Sequence, residues 1–527
     1  MNLQTFVDAL APELVLAVGA CLVVLLGVAR SSTARAAVAP VSLAVLILAL
    51  LAMRSAGVPE TNPPGVRITQ LVQYVRAISL TIGALILLVN WRLPMETERG
   101  EFFGMMLFTV LGVTLTAAAN DLILLFFALE LVSVPTYIMV ALSRQDARSS
   151  EASIKYFFLG AMSAALMVYG FSFLYGCAGS TALAGVQGGV KSYFAGLAAF
   201  PPYAIVGLIL VFAGLGFKIA AVPFHVYAPD VYEGAASPVT GLLGFLPKLA
   251  GFAALIKVLD ACNWELPTAL NWLLWVMAAA TMTAGNVLAL LQSNVKRILA
   301  YSSISHSGYM LIGLLVGPVA GSGPMHDGIA ALLFYIAVYG LMNLGAFALL
   351  SAFVVRDEGL EDLEDLSGLA GRHPWSALGL AICAFSLMGF PPTAGFLGKV
   401  YIFSSAFSLG EGHAFRMPLI ALAIIGVVNS AIGAVYYLRI AATPYFGAAD
   451  RRAQPTAGFP VRCALALCSF AMLWFFVKPA NLLGPAGRAT AGLNVASGTP
   501  ALRVAMESGP REQATLPPAA TPAPPTR

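Results

Sequence analysis

Charge is scarce in this chain, and its few cysteines and histidines form no pattern. Only 10% of the 527 residues are charged, against roughly a quarter in an ordinary soluble domain. That excludes a typical water-soluble globular protein. The net charge of +4 is spread so thinly that no loop is basic enough for nucleic acid. Cys21, Cys177, Cys262, Cys383, Cys463 and Cys468 include no CxxC, and the five histidines lack metal-ligand spacing. Nothing here argues for an iron–sulfur, haem or zinc site, and no Gly-rich loop joins a strand to a helix as a nucleotide or flavin fingerprint. Any redox chemistry therefore belongs to a partner.

What the chain has instead is apolar length. Hydrophobic residues make up 59% and the mean hydropathy is +0.84. Runs of about twenty apolar residues, enough to cross roughly 30 Å of hydrocarbon, recur along nearly the whole sequence. About fourteen spans are expected, beginning near residues 12, 36, 69, 100, 121, 154, 201, 236, 270, 297, 327, 376, 415 and 459. Because lipid cannot satisfy a bare backbone, such runs are helices, and the fold class is an all-α polytopic membrane protein. The first run lacks a basic leader and a small-residue cleavage site, so it is read as a retained span. Arg30, Arg35, Arg92, Arg99, Arg144, Arg148, Lys296, Arg297, Arg356, Arg372, Arg439, Arg451 and Arg452 fall in alternate loops, whereas Arg54, Arg67, Lys191 and Arg416 occupy the others. The positive-inside rule then puts both termini on the non-cytoplasmic side.

Glu130, Lys218, Lys248, Lys257 and Lys399 sit inside the apolar runs. An intramembrane charge is costly and marks a functional site unless a partner or cavity explains it. Lys218, Lys248 and Lys399 stand beside prolines, in FKIAAVPFHVYAPDVYEGAASPVTGLLGFLPK (Phe217 to Lys248) and LMGFPPTAGFLGK (Leu387 to Lys399). Paired Pro/Gly interruptions in corresponding segments point to repeats with broken helices around an ion path. Spacing agrees: Glu130 precedes Lys218 by 88 positions, and His306 precedes Lys399 by 93. If spans 4 to 8 and 9 to 13 correspond, each unit has an odd number of crossings and the two must be inverted. Residues 1–99 then form N-terminal helices, 100–260 and 261–442 the two repeats, and 443–480 a C-terminal helix. Residues 481–527, rich in Pro and Ala, read as a disordered tail. EGLEDLE (Glu358 to Glu364) reads as a solvated acidic loop, with a docking surface as the other reading.

Three of these segments, FKIAAVPFHVYAPDVYEG with LPKLAGF, SNVKRILAYSSISHSGYM, and GFPPTAGFLGKVYIF, resemble the N subunit family of bacterial proton-translocating NADH:quinone oxidoreductase, respiratory complex I. The resemblance spans roughly residues 100 to 440. It implies a bacterial inner-membrane subunit that moves protons while partners pass electrons from NADH to quinone. FMN, iron–sulfur clusters, NADH and quinone would then lie on those partners. The partners implied are the membrane subunits of M, L, K, J, A and H type and the peripheral arm. By the same resemblance Glu130 and Lys218 form a pair, Lys248 is a central lysine, and Lys399 follows the second break; His225 and His306 match polar positions near breaks and between charges. Tyr227 replaces a common tryptophan and Ala236 a common proline.

The chemistry is independent of the resemblance. Free lysine titrates near ~10.4, and removal from water weakens its hold on the proton, which makes a buried lysine a carrier. A carboxylate roughly 6 Å away opposes this by about 2 to 3 kcal/mol at an effective dielectric near 20, enough to gate release. Other readings stay open. Lys257 is assigned to snorkelling or to an ion pair with Asp260, and Lys155 either snorkels or lines an access route. His225 either satisfies backbone carbonyls or carries protons. For the whole chain, the alternatives are a stand-alone or Mrp-type cation/proton antiporter and a purely structural scaffold.

Overall fold

The computed structural model describes residues 3–493, apart from residues 30, 60–61, 93–96, 144–145, 185–188, 197–198, 320–324, 356–357, 448–452 and 457. Helices α1 (Leu3–Ala9), α2 (Ala11–Val28), α3 (Ser32–Ala56) and α4 (Gln70–Asn90) come first. By the bounds read from the sequence, the first repeat contains α5 (Arg99–Ala118), α6 (Leu122–Leu142), α7 (Ala147–Ala178), the short α8 (Val190–Ala195), the broken pair α9 (Pro202–Lys218) and α10 (Tyr227–Gly234), and α11 (Ser237–Leu243) continued by α12 (Leu246–Ala261). The second contains α13 (Thr268–Leu290), α14 (Val295–Val316), α15 (Gly328–Ala352), the short α16 (Leu369–Arg372), the broken pair α17 (Pro374–Met388) and α18 (Ala394–Ser405), and α19 (Arg416–Phe446). Helices α20 (Phe459–Val477) and α21 (Ala480–Thr490) follow.

Among the described residues, twelve spans are long and apolar enough to cross a membrane, and α9 and α17 are the shorter first halves of the two broken ones. The starts agree with those read from the apolar runs; the largest offset is at α7, which begins at Ala147. Five spans per unit, an odd number, make the units inverted. Their local chemistry repeats as well. Asp121 caps α6 and Asn294 caps α14, while Asp146 caps α7 and Asp327 caps α15, each side chain accepting from first-turn backbone N–H groups. Helix α15 is apolar on every side and buried along its whole length, as a helix without a polar face must be. A small antiparallel sheet, in the order β2 (Glu358–Gly359), β1 (Phe353–Val355), β3 (Gln454–Pro455), ties loops together at one end.

Two expectations are corrected. The EGLEDLE stretch is only in part a solvated loop: Asp362 and Glu364 are exposed, but Leu360 and Leu363, and Leu366 just after it, are buried, and residues 363–366 form a capped 3-10 turn. Its Glu361 accepts ion pairs from the fully buried Lys296 at 3.1 Å and from Arg148 at 3.6 Å. Two leucines in the run, with Leu366 just after it, outweigh its acidity by giving it an apolar face to bury. The second correction concerns the tail, whose first part is α21. Its Ala and Gly content suggests disorder, yet Leu483, Ala486 and Ala489 make a helical stripe that is buried against the bundle. Residues 494–527 lie outside the described residues, as do Arg30, Arg144, Arg356, Arg451 and Arg452 of the orientation argument.

The N-terminal helices are fastened by an ion pair with no counterpart in the sequence reading. Arg76 on α4 is fully buried and binds Glu13 of α2 through two parallel hydrogen bonds of 2.8 and 2.7 Å, with the Ala9 carbonyl at 2.9 Å. Removing one member strands the other charge, a loss of about 3 to 5 kcal/mol. Glu13→Leu alone is therefore expected to lower the melting temperature of the purified assembly clearly, and Glu13→Leu combined with Arg76→Met to recover most of it. Equal losses in the single and paired variants would show that the pair is not the fastening.

Candidate functional site

Each predicted mid-span lysine stands at an interruption of a helix. Lys218 ends α9, where the chain unwinds through Ala220 in a left-handed conformation (φ 55°). Its side chain is 4% exposed, and its ammonium meets Glu130 Oε1 on α6 at 3.0 Å and the hydroxyl of Ser133. Helix α12 crosses this break so tightly that a Cβ on Gly251 would lie 3.1 Å from Lys218 Cβ. Only glycine allows that approach. The pair read from the sequence is thus formed, with Lys218 covered and Glu130 partly exposed.

Lys248 lies in the first turn of α12, just after the interruption at Gly244 and Phe245 that separates it from α11. Its ammonium donates to the Ser303 carbonyl and, at 2.8 Å, to Ser307 Oγ, both on α14. The Tyr339 ring lies 5.6 Å away. Ser307 Oγ donates in turn to the Ile219 carbonyl at 2.6 Å, one residue past Lys218. A helix of the second repeat therefore holds the central lysine of the first and joins it to the first break.

His306 follows on α14, fully buried. Its Nδ1 lies 2.6 Å from the Tyr335 hydroxyl and its Nε2 2.9 Å from that of Tyr437. Its ring is 5.1 Å from Tyr339 on one side and 5.7 Å from Tyr309 on another. Lys399, on α18, lies 5.1 Å from the Tyr309 ring and is 5% exposed. Its ammonium reaches back across the break to the carbonyl of Met388, the last residue of α17, at 2.8 Å, and to Ser430 Oγ at 2.7 Å. Lys218 and Lys399 thus reach the same place in each repeat, the C-terminal end of a half-helix, where the helix dipole favours a cation. Lys218, Lys248, His306 and Lys399 form one buried row joined by hydroxyls, carbonyls and tyrosine rings, with Glu130, 22% exposed, paired to its first member.

Comparison with known proteins bears on what such a row belongs to. Residues 119–433 match the family described as NADH:quinone oxidoreductase/Mrp antiporter, transmembrane. An NADH-quinone oxidoreductase subunit N from Methylobacterium nodulans is 37% identical over 92% of this chain and 97% of its own length. The chain belongs to the subunit N family. Another member, from Rhodospirillum rubrum, is 34% identical over the same shares. Among solved structures, a chain of respiratory complex I from Thermus thermophilus aligns with a TM-score of 0.74 at 29% identity, covering 90% of this chain and 98% of that one. A chain of the Mrp complex from Dietzia sp. aligns at 0.77 with 20% identity and shares the fold.

Other candidate residues lie apart from the row. His225 sits in the first break with its Nδ1 buried and without a hydrogen-bond partner among the described residues. Lys155 is in a surface network: it pairs with Glu151 at 2.7 Å and Asp230 at 3.0 Å, and Arg297 binds Asp230 and Glu233. Asp260, the expected partner of Lys257, pairs with Lys191 at 2.7 Å and lines one small cavity together with Lys257, Arg67 and Asn120. The two departures from the subunit N pattern also find places. Tyr227 donates to the Phe217 carbonyl at 2.9 Å, and Ala236 donates its N–H to Ser143 Oγ, a bond that proline lacks the hydrogen to make.

The sequence reading passed over the neutral connectors: Ser133, Ser303, Ser307, Ser430, Tyr335, Tyr339 and Tyr437. A signal existed on α14, where Ser303, His306 and Ser307 recur at i, i+3 and i+4 and so line one face of the helix. The pairing of Glu130 with Lys218 is testable by itself. Glu130→Gln leaves the buried Lys218 charge unmatched and is expected to destabilise the assembled complex by about 3 kcal/mol or more, and Lys218→Met, which strands the partly exposed Glu130, by less, whereas the double variant assembles better than Glu130→Gln. A thermal-unfolding double-mutant cycle with a coupling under about 0.5 kcal/mol would show two independent side chains.

Proposed function

We propose that this chain is a proton-translocating subunit of the membrane arm of an NADH-quinone oxidoreductase. Electrons pass from NADH to quinone on partner subunits, and this chain moves protons in response. The observation that supports this reading most is the buried row itself, in which ionisable side chains alternate with hydroxyls across both repeats. Glu130, Lys218, Lys248 and Lys399 are the proton-transfer set. Glu130 holds the proton on Lys218 when the two are close and lets it go when they separate. His306 relays between Lys248 and Lys399 with the tyrosine hydroxyls that bracket it. His225 and Lys155 are candidates for the approach from the aqueous side.

In this reading the chain carries no redox centre, and FMN, iron–sulfur clusters, NADH and quinone are held by other subunits. Its neighbours are membrane subunits of M, L, K, J, A and H type together with the peripheral arm. It lies in a bacterial inner membrane with both termini on the non-cytoplasmic side. The Mrp-type antiporter alternative is weaker, because relatives named for the oxidoreductase cover nearly all of this chain and of their own length. Copurification separates the two: an assembly holding flavin and iron–sulfur proteins supports the oxidoreductase.

Lys248→Ala is expected to assemble while lowering NADH-driven proton pumping by about tenfold or more, the usual scale for loss of a proton-transfer group. Coupling then brings quinone reduction down with it. Lys248→Arg is expected to fail equally, since a guanidinium does not release its proton at accessible pH. Native pumping rates in vesicles carrying either assembled variant would remove Lys248 from the path. Lys399→Ala places the way out: native pumping there, with Lys248→Ala inactive, would mean that protons leave this chain before the second break.

A further inference from the structure

A groove of about 590 Å³ opens on the side of the bundle between the first turns of α17 and α20, away from the buried row. Its rim is cationic. Arg372 and Arg462 are exposed there, and neither has a carboxylate partner among the described residues. His373 stands close to both: burial first, and then the charges of Arg462 and Arg372, hold its imidazole below the ordinary range. A further cation is near, since the Arg92 guanidinium lies against Gly458 at the start of α20. Below the rim the lining turns apolar, with Leu378, Ile382 and Leu465. Trp375 on α17 lines the groove and is 83% exposed, and Phe459, the first residue of α20, is 80% exposed. Exposed aromatics beside arginines at a helix end mark the depth of the lipid headgroups.

We propose that this groove binds an anionic phospholipid, with its phosphate held by Arg372, His373 and Arg462 and an acyl chain lying along Leu378, Ile382 and Leu465. Clustered cations that face the interface without an anion repel one another, and a phosphate cancels that repulsion. Guanidinium forks match phosphate oxygens in pairs. A basic pocket between transmembrane helices with an apolar continuation is the arrangement that selects anionic headgroups. A protein neighbour suited to the same rim would have to bring carboxylates to it, and is the competing occupant.

The test uses the intact complex. After a detergent wash, quantitative lipid mass spectrometry is expected to find about one anionic phospholipid fewer per complex in the Arg372→Gln/Arg462→Gln variant, with zwitterionic lipid unchanged. In nanodiscs, phosphatidylglycerol should raise the melting temperature of the native complex above that in phosphatidylcholine alone, and the variant should lose that gain. Millimolar inorganic phosphate should give neither effect; stabilisation by phosphate alone would make this a free-anion site and overturn the proposal. A photoactivatable phosphatidylglycerol analogue supplies a readout on the unaltered chain. Adducts on peptides from α17 and α20 are expected. Equal lipid counts in variant and native complexes, no adduct on these helices, or a photocrosslinker at position 375 joining to a neighbouring subunit would each refute lipid binding.

Discussion

An ammonium group inside an apolar bundle has to be solvated by the protein, and side-chain oxygens from the neighbouring helices share that solvation with backbone carbonyls near the breaks. A continuous helix spends most of its carbonyls on its own ladder, and in α14 the Ser303 carbonyl also accepts from a lysine of the row. At the end of α9, at the gap before α12 and at the end of α17, the ladder is interrupted, and a lysine stands at each place. Met388, Ile219 and Ser303 offer carbonyl oxygens to Lys399, to Ser307 beside Lys248, and to Lys248 itself. The prolines and glycines near these lysines are therefore part of the charge-stabilising machinery. Of these three lysines Lys218 alone pairs with a carboxylate among the described residues, so the first break is held by a full opposite charge and the others by dipoles.

The two repeats are more entangled than their sequential order suggests. Helix α14 belongs to the second repeat, yet Ser303 and Ser307 grip a lysine of the first while His306 faces the tyrosines of the second. Its serines and histidine are thus both a seam between the units and the middle of the row. On the opposite side Gly251 lets α12 press on the break of α9, and Gly398 lets α18 lie against the Tyr335 ring. A side chain at either glycine would push apart groups that must touch.

The span boundaries, the broken helices and the ionisable members of the row were legible because each leaves a local mark: an apolar run, a proline or a charge out of place. Pairings between distant segments leave no such mark. Glu13 looks like an ordinary first-turn carboxylate, and Arg76 was overlooked within its span, so their bond across 63 positions stayed hidden. Asp260 shares a cavity with Lys257, its neighbour on the helix, but its ion pair with Lys191 spans 69 positions and stayed hidden in the same way. The hydroxyl connectors were missed for another reason. Serine and tyrosine are common in apolar helices, and only their convergence on one line distinguishes Ser303, Ser307 and Tyr335 from packing residues. Helix α21 was read as tail because alanine and glycine are ambiguous between loop and helix until something buries them.

Helix α15 has protein on all sides, yet it has to cross the membrane before those sides exist. During insertion Tyr335, Tyr339 and Asn343 meet lipid or the insertion machinery, and helices that later cover α15, namely α17, α18 and α20, are still to be synthesised. Its apolar length is therefore a requirement of biogenesis rather than of the finished bundle, where no lipid touches it. This sets a limit on how polar the interior of the subunit can become: any group added to α15 to wet the row has first to survive a bilayer with none of its partners present.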